Sequence, residues 1–304
     1  MNRRQAIRTS IGAMLATTLA GTPAAFGKEA RMIQRKIPST GEAIPVVGLG
    51  TSGPFEVGGD AEARAPLAEV LQAFFDSGGR LIDTSPMYST AEEVLGDLLT
   101  PEMHSKAFVA TKVWTNGEQA GVEQMKRSGE LMQRKRLDLI QVHNLRDLDT
   151  HLKTLRGWKE EGRVRYIGIT HYTVSSHEDL ARIIEREKLD FVQLNYSPVT
   201  RNAERRLLPL AAERGVAVLV NRPFEDGQLF ERVRGKPVPK WAAEFDATSW
   251  AQVFLKYIVA HPAVTCVIPA TGKVKNMRDN LAGGRGRLPG KEQLGRIVAT
   301  LDSA

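Results

Sequence analysis

From residue 46 onward, short apolar runs alternate with longer stretches whose apolar residues recur every three or four positions. The short runs fall at 46–51, 80–85, 107–113, 137–143, 164–170, 191–197, 216–222 and 264–270. Each carries Val, Ile or Leu at successive positions, the mark of parallel strands covered on both faces. The longer stretches fall at 63–77, 91–99, 117–135, 149–160, 176–188, 203–214, 248–261 and 274–282. In the first, Leu67, Val70, Leu71, Phe74 and Phe75 share one stripe. In the fifth, Leu180, Ile183 and Ile184 do so, behind an N-cap at Ser175 or Ser176 and acids at Glu178 and Asp179. Several stretches stop at glycine, the residue best suited to end a helix. Eight strands, each followed by a helix, predict a single α/β domain, a closed (β/α)8 TIM barrel, ahead of an open doubly wound sheet. Residues 32–45 read as a β-hairpin turning at 39–42, placed to plug the bottom of the barrel.

Residues 1–27 stand outside this pattern. They carry Arg3, Arg4 and Arg8 and no acid, then a mildly apolar run over 11–20, then small residues and Pro23. This is the layout of an export signal. The run is too short, and too rich in Gly and Thr, for a stable membrane span. Arg3-Arg4-Gln5-Ala6-Ile7-Arg8 resembles the twin-arginine signal, with Ala6 where that signal usually has Phe. The resemblance implies the twin-arginine export machinery as a partner and a periplasmic or otherwise exported barrel over 31–304. An unused leader implies a cytoplasmic one.

Composition narrows the class further. With 42% hydrophobic and 25% charged residues, the chain is not collagen-like, coiled-coil or mostly disordered. The single cysteine, Cys266, excludes an intramolecular disulfide and a cysteine-built zinc site. Loss of residues 1–27 removes three arginines and no acid, which lowers the formal charge from +7 to +4. The basic runs at 134–136 and 205–206 read as solvated helix surface, and nucleic acid is not an expected partner.

Gly48-Leu49-Gly50-Thr51-Ser52-Gly53 matches the G-x-G-x-x-G dinucleotide pattern. That fingerprint requires a helix to open within the motif, so that its amides face the pyrophosphate. Here Pro54 follows at once and the helical pattern starts only near Ala63. The motif reads instead as a tight first strand and a loop at the barrel mouth.

In a β/α barrel, chemistry collects where the strands end. The second strand ends at Asp83-Thr84-Ser85, with Tyr88 just beyond; the third ends at Lys112 and the fourth at His143. Adjacent strands lie about 4.8 Å apart, so Asp83, Tyr88, Lys112 and His143 can converge on one pocket. An ammonium beside a phenol lowers its pKa, so Lys112 would activate Tyr88 while Asp83 holds Lys112 in place. His143 would orient a substrate oxygen. This set is suited to giving a proton to a carbonyl oxygen while another group supplies hydride. No cluster of His, Asp and Glu has metal-ligand spacing.

These residues lie in segments similar to the aldo-keto reductase superfamily: Val47-Gly48-Leu49-Gly50-Thr51, Ile82-Asp83-Thr84-Ser85-Pro86-Met87-Tyr88, Thr111-Lys112-Val113-Trp114 and Asp138-Leu139-Ile140-Gln141-Val142-His143. The resemblance spans residues 31–304. It implies Tyr88 as proton donor, completed by Asp83, Lys112 and His143, and hydride transfer from a reduced nicotinamide to an aldehyde or ketone. It further implies a cofactor site that includes Gly50 and Thr51. Thr170 and His171 stand in the family's Ser-Asn places, and Gln193 matches a second carboxamide contact. Asn221 and Arg222 replace a Tyr-Ser pair, which implies a phosphate contact for Arg222 in place of aromatic stacking on the nicotinamide. Ala270, Thr271, Lys273, Arg278 and Asn280 lie in the segment that receives the adenosine end. The cations at Lys273, Lys275 and Arg278 favour a 2′-phosphate and so NADPH, with NADH the alternative. Phe55 and Trp114 are expected to line an apolar substrate pocket.

Two other functions share these residues. One is a nicotinamide-sensing partner subunit without turnover, which a large exposed apolar patch would mark. The other is a Schiff-base aldolase using Lys112. The carbonyl substrate and the oligomeric state are not fixed by these residues.

Overall fold

The computed structural model describes residues 30–303, and the leader expected over 1–27 lies outside them. The expected hairpin pairs β1 (Gln34–Lys36) with β2 (Ala43–Pro45), antiparallel. Eight parallel strands follow: β3 (Leu49–Gly50), β4 (Leu81–Asp83), β5 (Phe108–Val113), β6 (Leu137–His143), β7 (Val164–Thr170), β8 (Phe191–Asn195), β9 (Ala217–Asn221) and β10 (Val264–Val267). They are hydrogen-bonded in chain order. Val47 pairs with Val267, and Gly50 with Ala270, so the first strand is bridged back to the last. The predicted (β/α)8 barrel is the observed fold.

Strand alternation sorts the apolar residues into two layers. Leu81, Phe108, Leu139, Tyr166, Phe191 and Leu219 point into the barrel and form one buried cluster. Ile37 and Ile44 of the hairpin complete that cluster from below, so the hairpin plugs the barrel as expected. Glu42 latches it there: Arg80, Arg165 and the Tyr166 hydroxyl all donate to its carboxylate. The alternate positions, such as Ile82, Ile140, Ile169, Val192 and Val220, face outward under the helices in a second, larger cluster.

The helices are α1 (Ala61–Asp76), α2 (Ala91–Leu98), α3 (Pro101–Lys106), α4 (Glu118–Leu131), α5 (Leu148–Glu160), α6 (His177–Arg186), α7 (Leu207–Glu213), α8 (Gln228–Arg232), α9 (Trp250–Ala260), α10 (Val274–Ala282) and α11 (Lys291–Asp302). Three of them, α3, α8 and α11, lie beyond the eight predicted. The last carries Leu294, Ile297, Val298 and Leu301 at helical spacing and packs on α9. Ser176 sits at the N-cap of α6, but its hydroxyl bonds Thr173 Oγ1 instead of a helix amide.

The G-x-G-x-x-G segment opens no helix. α1 starts at Ala61, capped by Asp60, whose carboxylate accepts from the amides of Glu62 and Ala63. Gly48 and Gly50 serve barrel closure: a Cβ at Gly48 would lie 2.6 Å from the Leu81 carbonyl oxygen, and one at Gly50 2.9 Å from that of Ile268. Only glycine lets the backbones come so close.

Candidate active site

The site grows out of the inward apolar layer. Two residues further along each strand lead from Leu81 to Asp83, from Ala110 to Lys112, from Leu139 to Gln141, from Phe191 to Gln193 and from Leu219 to Asn221. One more step on β6 reaches His143, paired in register with Thr170 on β7. A ring of polar side chains thus sits directly above a closed apolar floor.

Lys112 is 1% exposed, and its Nζ donates to Asp83 Oδ2 at 2.6 Å and to the Thr84 carbonyl at 2.7 Å. Burial opposes the ammonium, but Asp83 and Tyr88 together raise its pKa above the ordinary lysine value. The other Asp83 oxygen accepts from Gln193 Nε2 at 2.7 Å and from Gln141 Nε2 at 3.3 Å. The carboxylate is therefore held from both sides.

Lys112 Nζ lies 4.8 Å from the Tyr88 ring centroid. The net effect on Tyr88 differs from the sequence expectation. Burial pushes the phenol up, and the Lys112 ammonium pulls it only partly back, so its pKa stands above the usual tyrosine value. The His143 ring meets the Tyr88 ring edge-on, with centroids 6.2 Å apart. Burial, then the charges of Lys112 and His171, bring the His143 pKa down to about 3, so its imidazole is neutral. Its Nδ1 lies 3.2 Å from Ser85 Oγ.

A cleft of about 760 Å³ opens above these groups. Of the residues expected from the sequence, Gly50, Thr51, Asp83, Tyr88, His143, Thr170, Gln193, Asn221, Arg222 and Ala270 line it, and Lys112 lies beneath. Gln193 Oε1 accepts from Thr170 Oγ1 at 3.2 Å and from Asn221 Nδ2 at 3.3 Å. Asn221 Oδ1 is buried without a partner, an acceptor left for an incoming donor such as an amide.

Other expected residues lie elsewhere. Phe55 is fully buried in the larger core cluster and does not line the cleft, since a wholly apolar ring gains most from full removal from water. Trp114 also lies outside the lining, with the Arg146 guanidinium 4.4 Å from its ring centroid. The His171 ring stacks on Tyr172, and its Nδ1 accepts from the amides of Tyr172 and Thr173, which leaves the neutral ring's proton on Nε2. Thr271 and Asn280 are buried near α10, while Lys273, Lys275 and Arg278 are exposed there, beyond the cleft lining.

Sequence reasoning did not assign Gln141, although its place two residues before His143 puts it on the same inner face. Nor did it assign the rim, made by Met87, Asn144, Tyr172, Phe224, Asp226 and Phe230. These come from four separate segments and carry no common spacing. Among the described residues, no group of three or more His, Cys, Asp or Glu side chains could hold a metal. No described helix is long and apolar enough to cross a membrane.

A parallel barrel with a buried lysine–aspartate pair, a phenol and a neutral imidazole at its mouth defines a class that known proteins make specific. Residues 46–300 match the family model of the Aldo/keto reductase family. The chain is 26% identical over 259 residues to methylglyoxal reductase YeaE of Escherichia coli strain K12, covering 83% of this chain and 89% of that one. It is 24% identical over 268 residues to methylglyoxal reductase DkgB of Escherichia coli O157:H7, covering 86% and 94%. Among solved structures, it resembles an aldo-keto reductase from Klebsiella pneumoniae in complex with NADPH, at 25% identity and a TM-score of 0.72, covering 87% of this chain and 95% of that one. The chain belongs to the aldo/keto reductase family and is an oxidoreductase.

Proposed function

We propose that the chain is an NADPH-dependent reductase of aldehydes or ketones in which Tyr88 delivers the proton. The observation that carries this reading is the buried Lys112–Asp83 pair, 2.6 Å apart, set beside the Tyr88 phenol at the floor of the cleft. The residues fit a reduced nicotinamide: the unpartnered Asn221 Oδ1 offers an acceptor, and Thr170 and Gln193 add polar groups beside it. When bound, that cofactor supplies hydride to the carbonyl carbon. Tyr88 keeps its phenolic proton at neutral pH and transfers it from Oη to the carbonyl oxygen. Lys112 stabilises the phenolate left behind, and Asp83 keeps Lys112 charged and in place. The neutral His143 points a nitrogen towards the substrate oxygen without adding a competing charge. Arg222 binds a phosphate of the dinucleotide at the cleft wall, and Lys273, Lys275 and Arg278 receive the 2′-phosphate.

Two features weigh against the other readings. A Schiff-base lysine works by losing its proton, whereas Lys112 is raised in pKa and tied to Asp83. The large apolar side chains most exposed among the described residues are Met87, Tyr172, Val174 and Phe230; three of them line the cleft instead of forming a separate docking face.

The test is NADPH oxidation by the purified chain with a panel of aldehydes and quinones, methylglyoxal among them because the relatives carry that activity in their names. Turnover that collapses in Tyr88→Phe supports the reading, and absence of turnover despite NADPH binding moves it to the sensing subunit. We also propose that residues 1–27 are a twin-arginine export signal. Replacing Arg3 and Arg4 together by Lys should retain the protein in the cytoplasm on cell fractionation; unchanged distribution rejects the signal.

A further inference from the structure

The residues from Arg222 to Gly227 wall one side of the cleft, and their backbone is unusual. Arg222, Glu225 and Asp226 have φ of 48°, 50° and 53°, followed by Gly227 at 94°. Three non-glycine residues in the left-handed region within five positions make a turn that folds the segment back on itself. The fold-back brings the Asp226 carboxylate onto the Arg222 guanidinium: Arg222 Nε donates to Asp226 Oδ1 at 3.2 Å, and Nη2 donates to Oδ2. On its other side the guanidinium lies 5.7 Å from the Tyr172 ring centroid. Ser197 Oγ donates to Glu225, which pins the middle of the turn to the loop after β8.

Charge bookkeeping around the cleft gives this pair its meaning. Among the described residues that line it, Arg222 is the one lysine or arginine. The carboxylates that line it are Asp83, already committed to Lys112, and Asp226. A dinucleotide brings a diphosphate with two negative charges into the same space. That diphosphate meets a single lining cation whose fork is already filled by a carboxylate.

We propose that Asp226 is a built-in competitor for the dinucleotide's diphosphate, and that binding transfers Arg222 from Asp226 to the phosphate oxygens. The inference rests on the cleft taking NADPH. The exchange is physically easy. The Arg222–Asp226 pair is solvent-exposed, with side chains 32% and 64% accessible, and exposed pairs of this kind are weakly held. A diphosphate offers the guanidinium the same two-pronged geometry with more charge. The displaced Asp226 then stands beside an anion, so the residue sets affinity downward. It thereby favours release of the dinucleotide after turnover.

The experiment is a double-mutant cycle on NADPH binding by the full chain, read from quenching of tryptophan fluorescence. The proteins are wild type, Asp226→Asn, Arg222→Gln and the double variant. Asparagine tolerates the left-handed backbone at 226, so the first variant removes charge without straining the turn. Asp226→Asn should bind NADPH about 3- to 10-fold more tightly, the scale of a released surface pair and a removed like charge. Arg222→Gln should bind more weakly by a comparable or larger factor. In the Arg222→Gln background, Asp226→Asn should give a smaller gain, because the competition for the guanidinium is gone. A wild type that binds NADPH and an Asp226→Asn variant that binds no more tightly overturns the inference alone. Absence of NADPH binding in all four proteins overturns the cofactor reading and the inference with it.

Discussion

Asp83 is the residue on which the site turns. It receives Lys112, Gln141 and Gln193, and it is 2% exposed. Replacing it by Ala leaves a buried ammonium without its counter-charge. That should destabilise the fold by about 3–5 kcal/mol, measured by denaturant unfolding. Activity should fall with it. Tyr88→Phe keeps the ring's packing and removes only the hydroxyl that delivers the proton, so kcat should drop about 10²- to 10⁴-fold with an unchanged melting temperature. The pH profile should carry the same signature. Activity should stay level as pH falls through about 6.5, the ordinary histidine value, because His143 is held near its neutral form down to about 3. Its alkaline limb should lie above the ordinary tyrosine value, since Tyr88 must be protonated to act and its pKa is raised. A limb near neutrality would assign the proton elsewhere. Phe55 separates packing from specificity: Phe55→Ala should lose about 3–5 kcal/mol of stability and leave the relative rates on different carbonyls unchanged.

At the scale of elements, the hairpin and the strands act as one unit. Ile44 is fully buried in the cluster inside the barrel, far along the strands from the polar ring. Ile44→Ala should cost about 2–5 kcal/mol in unfolding free energy while activity per folded molecule is preserved. A loss of activity without a loss of stability would show that the plug sets strand-end geometry. Element type was legible because hydrophobic period reports which faces are covered. Element ends were less so. The run at 264–270 is strand only over Val264–Val267, since Pro269 has no amide to donate to the ladder. The helix expected over 117–135 stops at Leu131, where Gln133 adopts a left-handed φ of 53° that no glycine announces.

For the whole molecule, five of the six histidines, His104, His143, His171, His177 and His261, are held below the ordinary value chiefly by burial. The unfolded chain takes up these protons near about 6.5, and the folded chain only lower. The stability this represents is therefore complete above that pH and is lost as pH falls through the folded values. Thermal midpoints should drop between about pH 7.5 and pH 5.5, and an equal or higher midpoint at the acid end would contradict the burial account.

The chain's own order of residues determined the barrel, its plug and the four groups at three successive strand ends. Those properties follow from period and sequence neighbourhood: residues two apart on a strand share a face, so Asp83, Lys112 and His143 lie on the same face as the apolar residues two positions before or further back. Tertiary structure alone decided which expected residues share the cleft. Phe55 and Trp114 fell outside it, and Gln141, which the sequence did not single out, donates to Asp83. It also decided the sign of the Tyr88 shift, because burial and the Lys112 charge oppose each other and their balance depends on how deeply the ring is covered. The Arg222–Asp226 pair belongs to the same group, since it arises from a local left-handed turn with no glycine until Gly227. Sequence carries direction along a strand, whereas distance across the barrel mouth comes only from closure.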